Sequence, residues 1–72
     1  MKTGLPIEVD PEIMSGAPVF AGTRVPVDTL FTYLMDGTSL IEFLESFPSV
    51  RREDAVRILE HYKQEMLHEA AA

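Results

Sequence analysis

The chain has 72 residues, 46% hydrophobic and 25% charged, a mix that fits one soluble globular domain and is too apolar for a disordered tail. Twelve acids against six bases give a formal net charge of -6, which excludes attraction of the whole molecule to nucleic acid or to an anionic membrane and leaves DNA only a local basic patch. Cysteine is absent, which removes disulfides, a thiol nucleophile and a thiolate metal site.

The chain opens without a signal-peptide pattern: Met1 to Gly4 are followed by Leu5-Pro6-Ile7 and then by the acids Glu8 and Asp10. No apolar run approaches the roughly 20 residues that span a bilayer. A cytoplasmic protein with no membrane partner is expected. Residues 1–26 hold Pro6, Pro11, Pro18 and Pro26, with Gly4, Gly16 and Gly22. Between them lie the short apolar runs Glu12-Ile13-Met14, Pro18-Val19-Phe20-Ala21 and Arg24-Val25-Pro26-Val27. These runs predict short, irregular strands in a small β meander, with prolines keeping them at sheet edges.

At Val27 the period changes. Val27, Leu30, Phe31, Leu34 and Met35 recur on one helical face, and Gly37 is a stop signal. Ser39-Leu40-Ile41-Glu42 is a capping box opening a second helix, which Pro48 ends. A third helix starts after Ser49-Val50, either capped by Ser49 or beginning near Arg51, with Ala55, Ile58, Leu59, Tyr62 and Met66 on its apolar face; its last turns are expected to overhang or fray. The expected fold is therefore mainly α, a single domain over 1–72: strands and turns over 1–26 and a three-helix unit over 27–72. A domain of this size buries only about 60% of its unfolded surface, so self-association, most simply as a homodimer, is expected.

Short breaks between three helices permit a helix-turn-helix arrangement, in which the start of the third helix meets base edges in the major groove. Arg51, Arg52 and Arg57 fall there. With Lys63 they place four of the six bases within thirteen residues. The competing structural reading pairs Arg57 with Glu53 or Asp54 on a solvated helix surface. Tyr33 falls off the Leu30–Leu34 stripe, and Leu67 off the Tyr62–Met66 stripe. Tyr33, Met66 and Leu67 are thus the candidate partner contacts.

Other chemistry is poorly supported. His61 and His68 are seven apart and lack a third ligand, although His61 and Glu65 have metal-pair spacing. Glu8, Asp10 and Glu12 alternate as an outer acidic face does. The glycines form no phosphate-cradling loop. No metal, cofactor or enzymatic activity is expected.

Asp10-Pro11-Glu12-Ile13, the run Gly16-Ala17-Pro18-Val19-Phe20-Ala21-Gly22-Thr23-Arg24-Val25-Pro26-Val27, then Asp36-Gly37, Ser39-Leu40, Phe47-Pro48-Ser49-Val50 and Glu53-Asp54 together resemble the bacterial and archaeal domain of unknown function 433 family. The similarity covers about residues 7 to 62. It implies a homeodomain-like helix-turn-helix behind the β segment, and a VapB-like antitoxin role beside a PIN-like nuclease. Arg24 corresponds to the arginine of the family's Gly-Thr-Arg run, read either as a phosphate or partner contact or as a donor bracing the hairpin. Two positions depart from the pattern: Ala17 replaces a basic residue, and Arg51 replaces a capping Thr or Ser.

The resulting expectation is an antitoxin-like component of a type II toxin-antitoxin pair. It would neutralise a PIN-like nuclease and bind operator DNA through Arg51, Arg52, Arg57 and Arg24. The alternative is a dimeric protein-interaction module or transcriptional regulator without a toxin partner.

Overall fold

The computed structural model describes residues 4–71, with side chains through Glu69. Lys2, counted among the bases, and Ala72, at the end of the overhanging tail, lie outside the described residues. The architecture is mainly α: three helices behind a two-stranded antiparallel sheet.

β1 (Ile7–Glu8) pairs with β2 (Val19–Phe20), Ile7 opposite Phe20 and Glu8 opposite Val19. On the other side of β2 the Val25-Pro26 stretch closes in. Phe20 N–H donates to the Val25 carbonyl at 3.0 Å and Val27 N–H to the Pro18 carbonyl at 2.9 Å, with a bridge between Val19 and Pro26. Flanked on both sides, Val19 and Phe20 are fully buried. Thr23 N–H donates to the Phe20 carbonyl at 3.0 Å, and Gly22, at φ 74°, supplies the positive φ that the third position of a type II turn requires.

One expected strand is a turn instead. Around Glu12-Ile13-Met14 the Asp10 carboxylate accepts from Glu12 N–H at 2.9 Å, and the Asp10 carbonyl accepts from Ile13 N–H at 2.9 Å. A 3-10 turn over Met14–Gly16 follows. Asp satisfying backbone donors two residues on is a turn device that competes with strand pairing, so the partner of β2 comes from Ile7–Glu8.

α1 (Val27–Met35) starts behind Pro26, whose ring presets its φ. It ends in a Schellman motif: Thr38 N–H donates to the Tyr33 carbonyl at 3.0 Å and Gly37 N–H to the Leu34 carbonyl at 3.1 Å. α2 (Leu40–Ser46) is capped by Ser39, whose Oγ accepts from Glu42 N–H at 3.1 Å and donates to the Glu42 carboxylate at 3.0 Å. α3 (Arg52–Ala71) begins where the Arg51 carbonyl accepts from Asp54 and Ala55 N–H.

Phe20, Leu30, Phe43, Ala55 and Ile58 are fully buried, with Val27 and Val50 nearly so, and these seven form one core cluster. Phe43 of α2 packs against Phe20 at 6.2 Å and Phe47 at 5.0 Å between ring centres. Among the described residues, no helix is long and apolar enough to cross a membrane.

Candidate partner-binding surfaces

The arginines expected to act together take up separate positions. Arg51 is exposed, and its Nε donates to the Glu53 carboxylate at 3.2 Å. Arg52 is exposed without a hydrogen-bond or ion-pair partner among the described residues. Arg57 donates from Nη2 to the carbonyl of Gly4, so neither the ion pair with Glu53 or Asp54 of the competing structural reading nor a fully free guanidinium is found. The long guanidinium reaches the N-terminal segment instead. At 3.6 residues per turn, Arg52 and Arg57 leave α3 about 140° apart around its axis, so only Arg51 and Arg52 share the start of the helix.

Arg24 is exposed beside the β turn, with no hydrogen-bond partner among the described residues. The bracing considered for it is carried by two other side chains. Thr23 Oγ1 donates to the Phe20 carbonyl at 2.8 Å and accepts from Val25 N–H at 3.1 Å. The Glu8 carboxylate takes the Gly22 N–H.

Tyr33 is not the exposed side chain its spacing suggested. It is half-buried, edge-on to Phe43 at 5.6 Å and to Phe47 at 5.4 Å. The physical reason is that α1 is covered on two sides. Phe31 reaches Tyr62 of α3 at 5.7 Å, while Tyr33 meets α2. A helix between two neighbours buries a wider stripe than one neighbour requires.

The α1–α2 pair forms an acidic corner. From Val25 to Val50 the chain carries Asp28, Asp36, Glu42 and Glu45 and no Lys or Arg, and all four acids are exposed. Two large apolar side chains also stand in solvent here, Met35 at 80% exposure and Ile41 at 68%. A shallow groove of about 570 Å³ is lined by Thr32, Tyr33, Met35, Asp36 and Thr38, so the half-buried Tyr33 keeps part of its side chain at the surface.

A second groove, of about 530 Å³, lies between the N-terminal segment and α3, lined by Leu5, Ile7, Val9, Pro18, His61, Tyr62 and Glu65. Beyond the core, α3 continues with Tyr62, Met66 and Leu67 exposed. Leu67 thus lies in the open, as its place off the stripe suggested, whereas Tyr62 and Met66, read from the spacing as part of the apolar face, are exposed because α3 runs on past the core. Leu5, Ile7 and Val9 went unread in the sequence, although their alternation with Pro6 and Glu8 is a period-2 signal. His61 approaches Glu65 at 3.7 Å, one turn away. Among the described residues, no three His, Asp or Glu side chains gather where a metal ion could be held.

Over residues 7–62 the chain matches the family described as "Protein of unknown function (DUF433)". It is also similar to the crystal structure of a DUF433 member protein from Anabaena variabilis ATCC 29413. The TM-score is 0.70 and the identity 30%, over 93% of this chain and 69% of that one. No curated protein matches the chain. With most of its length matched and the same fold in a solved relative, the chain belongs to the DUF433 family.

Proposed function

We propose that this chain is an antitoxin-like docking protein that acts without catalysis, as a homodimer, by covering the cationic surface of a PIN-like nuclease. The observation that carries the reading is the acidic corner of α1 and α2. Asp28, Asp36, Glu42 and Glu45 face solvent there with no Lys or Arg between Val25 and Val50, and Met35 and Ile41 stand exposed on the same helix pair. A nuclease that binds RNA needs an electropositive surface. Carboxylates steer association with such a surface and fix its register, while exposed aliphatic side chains supply contact area once water is expelled. The family resemblance supplies the class of partner.

The test is co-expression with the product of the neighbouring gene. The nuclease is expected to be toxic alone, harmless when paired, and to co-purify with this chain in a complex that weakens as salt rises, because exposed charges are screened over about 10 Å at 0.1 M. Asp36→Lys with Glu45→Lys is expected to slow association and weaken binding roughly 10- to 100-fold. A harmless neighbour, or one that never co-purifies, contradicts the antitoxin reading and leaves a dimeric interaction module.

Operator DNA is a second reading, favoured by one observation: Arg51 and Arg52 are both exposed at the start of α3. Arg57 supports it less, because one of its donors is held by Gly4.

A further inference from the structure

We infer that the groove at the C-terminal end of α1 takes an arginine side chain of the basic partner, its guanidinium paired with Asp36 and its aliphatic stem laid along Met35. This rests on the docking reading above and names one contact within it. The groove is lined by Thr32, Tyr33, Met35, Asp36 and Thr38, of which Asp36 alone is charged. Its carboxylate is exposed and has no hydrogen-bond or ion-pair partner among the described residues. Asp36 is the C-cap of α1, and the last turn of that helix holds no basic residue. A helix C-terminus carries partial negative charge, so local preference puts a cation there and disfavours a carboxylate. With no Lys or Arg from Val25 to Val50, the cation that suits this end of α1 comes from another molecule.

The walls select the kind of cation. A lysine ammonium is compact and strongly hydrated, whereas a guanidinium is planar, more weakly hydrated, and matches a carboxylate through two parallel N–H donors. A carboxylate reached past apolar walls therefore favours arginine. Met35, 80% exposed, offers the stem a flexible, polarisable thioether chain. Tyr33 is also on the lining, and an aromatic ring attracts a cation. Its ring contacts with Phe43 and Phe47 anchor that wall to the core, so little ordering remains to be done on binding. The hydroxyls of Thr32 and Thr38 are acceptors for the guanidinium N–H groups that Asp36 leaves unused. A metal ion fits less well, because among the described residues no three His, Asp or Glu side chains gather. A second copy, itself at -6, meets like charge at this corner.

Amide nuclear magnetic resonance of the full chain, titrated with a blocked Gly-Arg-Gly tripeptide, tests this. Saturable shifts in the millimolar range are expected at Thr32, Tyr33, Met35, Asp36 and Thr38. The matching Gly-Lys-Gly tripeptide is expected to bind about tenfold more weakly. Asp36→Asn, which keeps the size of the side chain and its site in water, is expected to abolish the shifts and keep the helical circular dichroism spectrum. Glu45→Gln removes one charge from the same corner but not from the groove lining, and is expected to leave the shifts in place. Shifts spread evenly over all the acids, or equal loss from Asp36→Asn and Glu45→Gln, overturn the groove as the site. Equal binding of the two tripeptides overturns its selection of arginine. Groove shifts that grow with the concentration of the chain alone make a second copy the occupant and overturn the proposal. A neighbouring nuclease that binds the wild type and Asp36→Asn equally well overturns the groove contact and leaves the docking reading standing. A nuclease that never binds removes that reading, and the tripeptide titration still decides the groove.

Discussion

The guanidinium of Arg57, on the second turn of α3, donates to the carbonyl of Gly4, 53 positions earlier in the chain. This bond ties the N-terminal segment to the helix that carries the core residues Ala55 and Ile58, at a point one position before Leu5, which lines the groove with Tyr62. Arg57→Ala is expected to lower stability by about 1 kcal/mol, the scale of one hydrogen bond in a largely exposed setting. Hydrogen exchange should quicken in β1 and leave α2 unchanged. Uniform exchange rates in the variant would count against the tether.

The turn between α1 and α2 depends on two residues that touch no core. Ser39→Ala removes the cap of α2 and is expected to cost about 1 kcal/mol. Gly37 sits at φ 91°, and a Cβ added there would meet nothing within 4 Å. Gly37→Ala is therefore expected to cost about 1 kcal/mol through backbone strain alone. Chemical denaturation of both variants with an unchanged m-value would confirm local effects.

Phe43 is fully buried and touches Phe20, Tyr33 and Phe47 through its ring. Phe43→Ala is expected to cost about 3–5 kcal/mol, a large share of the total stability of so small a domain. Loss of a cooperative thermal transition at ambient temperature is the expected readout. A melting point close to that of the wild type would mean that the core is not organised around this ring.

For DNA, the prediction is selective. If α3 reads an operator, Arg51→Ala with Arg52→Ala should abolish a low-salt gel shift on the DNA upstream of the gene. Arg57→Ala should weaken it by much less, since Arg57 leaves the helix on another side. Equal loss from all three substitutions would show that the bases form one patch after all.

The helices were legible because their signals are local. The Val27–Leu34 stripe, the Gly37 stop and the Ser39–Glu42 cap each act within a few residues and stand where the spacing put them, whereas Met35, read as the last member of that stripe, is 80% exposed. The β segment was harder. Glu12-Ile13-Met14 looks like a strand until Asp10 takes its backbone donors, and Ile7–Glu8 gains strand character only by pairing with Val19–Phe20. Tyr33 was misjudged for the same reason, because what covers it is another helix and not its own stripe. The tether from Arg57 to Gly4 spans 53 of the chain's 72 positions, and no local pattern announces it. The acidic corner was visible only as a sum of charges. Its emptiness of bases follows directly from the sequence, but the exposure of Met35 and Ile41 beside it needed the fold.

The most direct measurement is the affinity of this chain for the product of the neighbouring gene, with and without Asp36→Lys and Glu45→Lys, at low and high salt. Docking through the acidic corner predicts tight, salt-sensitive binding by the wild type and a loss of roughly 10- to 100-fold in the variant, with the fold intact. Binding that ignores both the charge reversal and the salt, or no binding by the wild type, would contradict it.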